Sequence, residues 1–200
     1  MISMHTPLEQ LKQGIADSLA VKTLLAKDGP TLDKIVEVGE LMIAAFKNGN
    51  RVLFAGNGGS AADAQHLAAE FVSRFEFDRP GLPSIALSTD TSMLTAIGND
   101  YGYEKLFRRQ LEAQARPGDL FVGITTSGRS KNILAAFEVC KQLQVTSVAL
   151  GGQGGELAGV DHVIRAPSAH TPRIQECHIL IGHMLCAQVE LALFGHLAPQ

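Results

Sequence analysis

The chain begins with two stretches of helical period and then changes to short, unbroken apolar runs. Thr6-Pro7-Leu8-Glu9 reads as a helix start, with Thr6 as N-cap, Pro7 as the first helical residue and Glu9 as the capping-box partner. Leu8, Leu11, Ile15 and Leu19 follow at helical spacing. A second helix is expected after Thr31, with Ile35, Val38, Met42 and Phe46 on one face and a stop at Asn48-Gly49. Beyond Gly49 the apolar residues bunch into residues 52–55, 84–87, 120–124, 146–150 and 162–165. Continuous rather than alternating runs suit strands covered on both faces, as in a parallel sheet. The segments between them are long enough for crossover helices. The pattern predicts an α/β fold: a three-layer sandwich around a five-stranded parallel sheet, with an N-terminal helical pair and a long C-terminal helix. No repeat, low-complexity segment or linker divides the chain. Residues 1–200 are therefore expected to form one domain, with 1–49 as its N-terminal helices and 50–200 as its α/β core and last helix.

Composition agrees with a packed chain. Apolar residues make up 46% of the 200 positions and charged ones 18%, which is ample for a core and argues against disorder. The formal charge of -3 gives no electrostatic reason to expect a nucleic-acid partner, so an anionic ligand needs a local site. Cys140, Cys177 and Cys186 form no C-x-x-C pair and read as reduced packing residues of a cytoplasmic protein. The first 14 residues carry no apolar core of signal-peptide length. Residues 174–197 are apolar but are broken by Glu176, His178, His183, Gln188 and Glu190, which a membrane span rarely carries. A buried helix, at a core or a subunit interface, is expected there instead.

In open α/β sheets ligands bind beyond the carboxyl ends of the strands, so the loops after the strands matter most. The first is Gly56-Asn57-Gly58-Gly59-Ser60-Ala61-Ala62-Asp63, in which Ser60 and Asp63 are spaced as a capping box. It has no Lys where a phosphate-binding Walker loop needs one. It satisfies a loose G-x-G-x-x-A, but no acidic residue closes the second strand to bind a ribose, and Asp90 comes too late. A glycine turn that serves packing alone remains the plain alternative. The loop after the third strand is Thr125-Thr126-Ser127-Gly128-Arg129-Ser130, followed by Lys131-Asn132. It puts four hydroxyls into six residues just before a helix. Helix N-terminal amides and hydroxyl donors together suit a phosphate. A Ser/Thr-rich turn with ordinary capping is the alternative.

His66 and Glu70 are four apart on the helix expected from Ser60, which puts them one turn apart on one face. Such a pair can share a metal ion or hold a proton-transfer geometry, although surface pairs of this kind are common. Thr171-Pro172 reads as another N-cap and first helical residue, with Gln175, His178 and His183 in the helix that follows. Gln175 and His183 are eight positions apart, about 12 Å of rise. They reach one small site only if their side chains converge or come from different subunits.

Taken together, residues 56–63 with His66 and Glu70, Arg79-Pro80-Gly81-Leu82-Pro83, Leu94-Thr95-Ala96-Ile97-Gly98-Asn99-Asp100, the hydroxyl loop, and Arg173-Ile174-Gln175-Glu176 followed by His183 resemble the phosphoheptose isomerase family. The resemblance runs from about residue 35 to residue 195. It implies the flavodoxin-like SIS (sugar isomerase) fold and conversion of sedoheptulose 7-phosphate to D-glycero-D-manno-heptose 7-phosphate, the first step toward the heptose of lipopolysaccharide. Carried over by position, Asn57, Gly58, Gly59, Glu70, Asn99, Asp100 and Gln175 would touch the sugar, and Thr125, Thr126, Ser127 and Ser130 its phosphate. His66, Glu70, Gln175 and His183 match the family's zinc ligands, and Glu70 and His183 its acid–base pair. The family implies one Zn2+ per subunit and a homotetramer with active sites between subunits, without a nucleic-acid or membrane partner. Thr125 stands where many relatives carry Ser and keeps the hydroxyl. The rival reading is a non-enzymatic SIS protein that binds the bacterial replication initiator. That relative shares the Arg-Pro, Leu-Thr-Ala-Ile and Arg-Ile-Gln-Glu segments but lacks the counterparts of Glu70 and His183. A regulator that only senses a sugar phosphate would also keep the hydroxyl loop without needing that pair.

Overall fold

The computed structural model describes residues 6–199. Two helices lead, α1 (Pro7–Lys27) and α2 (Gly29–Lys47), and then β1 (Val52–Gly56), α3 (Gly59–Val72), β2 (Ser84–Ala86), α4 (Thr91–Tyr101) and α5 (Leu106–Gln114). The chain continues through β3 (Leu120–Thr125), α6 (Lys131–Leu143), β4 (Thr146–Gly151), β5 (His162–Arg165) and α7 (Thr171–Phe194). The five strands are parallel in the order β2-β1-β3-β4-β5. This is the flavodoxin-like order, and its direction reverses between β1 and β3.

Side-chain alternation along the strands builds two cores. Val52, Phe54, Val122, Ile124, Val148 and Leu150 face α2, α3 and α7. Leu53, Ala55, Phe121 and Ala149 face α4, α5 and α6. The central strands β1 and β3 are thus covered on both sides, which is why their sequences are apolar runs. All three cysteines are buried and free. Burial pushes the thiols of Cys140 and Cys186 up to about 12, so both act as packing groups. α7 is long and apolar enough to cross a membrane by length and composition alone. It packs instead against α2 and α3 through Ile174, Cys177, Ile181, Leu185 and Val189, as a core helix of the sandwich.

Three expected boundaries move. The Thr6–Glu9 capping box forms as read. The second helix, however, starts at Gly29, because Asp28 accepts from the Thr31 backbone N–H and takes the cap. Ser60 and Asp63 do not form a capping box: Gly58 is the N-cap of α3, and no side chain caps the helix. Gly58 at φ 55° makes the turn that β1 needs, so the helix begins directly after it and Ser60 lies inside its first turn. α7 likewise begins one residue early, with His170 as N-cap and Thr171-Pro172 inside the helix. α1 differs in another way. Leu8, Leu11, Ile15 and Leu19 are 60–68% exposed, so its apolar stripe faces outward along its length and only Leu25 is buried.

Candidate active site

The glycine loop after β1 and the hydroxyl loop after β3 meet at the strand-order reversal, the expected ligand crevice of this topology. Asn57 joins them. Its amide exchanges hydrogen bonds with the Asn132 amide on α6, Nδ2 to Oδ1 at 2.9 Å and Oδ1 from Nδ2 at 2.8 Å. The Tyr103 hydroxyl also donates to Asn57 Oδ1 at 2.9 Å. The Asn57 amide is thereby held in one orientation.

In the hydroxyl loop Thr125 is buried and donates to Ser130 Oγ at 3.1 Å. Ser127 is exposed, and its Oγ accepts from the Arg129 N–H at 3.2 Å. Gly128 turns the loop at φ 63°, over the backbone of Gly154 and Gly155. Arg165 fixes that neighbouring segment by donating to the carbonyls of Gly152, Gly154 and Gly155. Ser130 is the N-cap of α6, yet its side chain makes no capping bond. The loop thus gathers its hydroxyls beside the start of α6, which is the composition of an anion cradle.

A second cluster lies further along α3. His66 Nε2 is 2.9 Å from His183 Nε2 and 3.4 Å from Glu70 Oε1. Two imidazole nitrogens at that distance need either one shared proton or an electrophile between them. The contact depends on close packing of α3 against α7: a Cβ at Gly182 would collide with Leu67. The Phe75 ring also packs on the His183 ring, with centroids 5.4 Å apart. Asp63, one turn before His66, is half-buried, and Oδ2 has no hydrogen-bond partner among the described residues. Burial pushes its carboxyl up, against the pull of His66.

Not every expected residue joins these two groups. The Gln175 amide packs against Gly59 at the start of α3, where an added Cβ would meet it. That is seven residues before His66, about 10 Å of helix rise. Asn99 and Asp100 are exposed on α4, and Asn99 donates to Asp100 at 2.8 Å. His178, on α7 with Gln175 and His183, is a buried core residue bonded to the Gly151 carbonyl. Burial holds its imidazole below the usual range, so it is neutral.

This chain matches the SIS domain family over residues 20–152. Its sequence is 59% identical over 187 residues to phosphoheptose isomerase 2 of Campylobacter jejuni, covering 92% of this chain and 93% of that one. It is 56% identical to the phosphoheptose isomerase of Aneurinibacillus thermoaerophilus, covering 93% and 95%. The solved phosphoheptose isomerase of Neisseria gonorrhoeae superposes with a TM-score of 0.86 at 39% identity, covering 92% of this chain and 99% of that one. The chain belongs to the phosphoheptose isomerase family.

In this member of the phosphoheptose isomerase family the two crevice loops offer hydroxyls and the N-terminal amides of α6 as hydrogen-bonding groups. The donor set of the second cluster is also suited to a metal. His66, Glu70 and His183 offer two imidazole nitrogens and a carboxylate oxygen, all within 4.8 Å of one another. Zinc takes such mixed nitrogen and oxygen ligands. Tyr103 and Asn132, which orient Asn57, carried no sequence signal as site residues. Tyr103 is an isolated aromatic, and Asn132 was visible only as the residue after the hydroxyl loop.

Proposed function

We propose that this chain is the isomerase that converts sedoheptulose 7-phosphate to D-glycero-D-manno-heptose 7-phosphate, the first step of ADP-heptose formation for lipopolysaccharide. The observation that carries this reading is the His66–Glu70–His183 cluster, an acid–base constellation of two residues on the helix that opens at the glycine loop and one from α7. Neither the initiator-binding reading nor a sugar-phosphate sensor has any use for it, and the relatives at 50–59% identity are named as isomerases.

Aldose–ketose isomerisation moves a proton between C1 and C2 through an enediol(ate). Glu70 takes the proton from C1 of the ketose and returns it to C2. His183 donates to the carbonyl oxygen at C2 and recovers a proton from the hydroxyl at C1. Thr125, Thr126, Ser127 and Ser130 hold the phosphate. Asn57, Gly58, Gly59, Asn99 and Asp100 place the sugar hydroxyls. His66, Glu70 and His183 would hold Zn2+, one per subunit, with Gln175 as the fourth ligand, and holding the metal competes with the proton-transfer roles of Glu70 and His183. The ion when bound supplies Lewis-acid polarisation of the carbonyl. Gln175 and the cluster are separated along α3 within one chain, which supports a site completed by a second copy. The outward apolar stripe of α1 supports the same reading, since exposed leucines at helical spacing suit a homotetramer interface.

Ser127→Ala tests the phosphate grip. Losing one hydrogen bond to a charged group costs about 1.5 kcal/mol, or roughly a ten-fold rise in KM, with kcat changed little. Unchanged KM in steady-state kinetics contradicts the cradle. The metal set is tested by elemental analysis: one zinc per subunit in the wild type, and loss of zinc in His66→Ala and in His183→Ala. Full zinc content in both variants removes them from the ligand set.

A further inference from the structure

Behind the acid–base cluster lies a buried ion pair. Arg79 Nε donates to Glu190 Oε1 at 3.0 Å, and both side chains are 1% exposed. A pair buried this deeply gains little net stability, because desolvation offsets the attraction. Its hydrogen bonds are more informative. Arg79 Nη2 donates to the carbonyl of Glu70 at 2.8 Å, and Nη1 to those of Phe71 at 2.6 Å, Ser73 at 3.3 Å and Pro80 at 3.0 Å. The carbonyls of Glu70 and Phe71 belong to the last turn of α3, which has no intrahelical partner for them. A guanidinium, with rigid donors and a positive charge, suits that helix end.

The other half of the pair reaches the second proton-transfer residue. Glu190 accepts from the backbone N–H of Phe75 at 2.8 Å and of Glu76 at 2.7 Å. The Phe75 ring is the one packed on His183. Glu190 also shares α7 with His183, two turns further on. The same pair therefore fixes the backbone of Glu70 and the ring that backs His183.

We propose that Arg79 and Glu190 are positioning residues for the isomerisation, holding Glu70 and His183 at proton-transfer geometry through the end of α3 and through Phe75. This rests on Glu70 and His183 being the acid–base pair. A misplacement of about 1 Å in such a pair can cost about 10²-fold in rate. The proposed substrate contacts lie elsewhere, in the hydroxyl loop after β3, the glycine loop after β1, and helix α4.

Steady-state kinetics of Arg79→Lys, Glu190→Gln and Phe75→Leu, beside thermal unfolding, test the assignment. Lys keeps the charge but cannot reach the Glu70 carbonyl and Glu190 together. Phe75→Leu leaves the ion pair intact and removes only the ring behind His183. The expected result is a fall in kcat of about ten-fold or more with KM nearly unchanged. Val139→Ala truncates the core on the opposite face of the sheet and serves as the stability control. It should lower Tm while keeping kcat. Wild-type kcat in Phe75→Leu together with either folded charge variant overturns the proposal. So does a Val139→Ala variant whose kcat falls in step with its Tm. If both charge variants fail to fold, Phe75→Leu decides alone: a selective loss of kcat supports positioning, and wild-type kcat ends it. Glu70→Gln separates the two claims. Retained turnover there sinks the acid–base reading itself. Abolished turnover there, with normal kcat in the other variants, sinks only the positioning role.

Discussion

Glu70→Gln and His183→Gln each lose about two to four orders of magnitude in kcat, the usual share of a positioned acid or base, while the fold is kept. The reasons are local. Glu70 is half-buried at the end of α3, so an amide of the same shape fits without a cavity. It accepts no proton at neutral pH and cannot carry hydrogen between C1 and C2. His183 packs against both His66 and Phe75, and glutamine there keeps a polar tip but loses the imidazole that gives and takes a proton. Kinetics with the phosphorylated ketose, and circular dichroism for the fold, check the result. A folded variant within about three-fold of the wild-type rate removes that residue from the proton-transfer pair.

Glu190→Ala destabilises the protein by about 3–5 kcal/mol, because it leaves the Arg79 guanidinium buried and uncompensated. Acid reaches the same contact by another route. Burial works against the Glu190 charge, but the N–H donors of Phe75 and Glu76 and the Arg79 guanidinium outweigh it and hold the carboxyl below its ordinary 4.5. The unfolded chain therefore binds that proton more readily than the folded one. The stabilisation is complete above about pH 4.5 and is lost as the pH falls through the lower folded value. Urea midpoints of the wild type and Glu190→Ala, followed from about pH 6 to about pH 3, should converge toward the acid end. Parallel curves contradict the assignment.

Sequence pattern revealed the layers of this fold because the central strands are covered on both faces and so appear as short apolar runs. It did not reveal the order of the strands, which is set by how the crossover helices pack. Ser60 and Asp63 matched a capping box by spacing, yet the left-handed turn at Gly58 started the helix earlier. Thr31 looked like the residue before the second helix, yet the Asp28 carboxylate accepts from the Thr31 N–H and starts the helix at Gly29.

The site divides along the same line. His66 and Glu70 were visible because helical period alone brings them together. His183 joins them from 117 residues away, through packing at Gly182 that no local pattern announces. Arg79 and Glu190 are 111 residues apart. Glu190 looked only like an interruption in an apolar stretch, and Arg79 only like part of a family segment. Gln175 shows the opposite limit: its family match is clear, while its place beside Gly59 depends on where α7 docks.

The most direct measurement incubates the purified protein with sedoheptulose 7-phosphate and follows the sugar by NMR, with and without a metal chelator. D-glycero-D-manno-heptose 7-phosphate should accumulate to a fixed ratio with the ketose, and chelation should slow its appearance until zinc is restored. No conversion under either condition contradicts the isomerase reading and returns the chain to the class of sugar-phosphate binders that perform no chemistry.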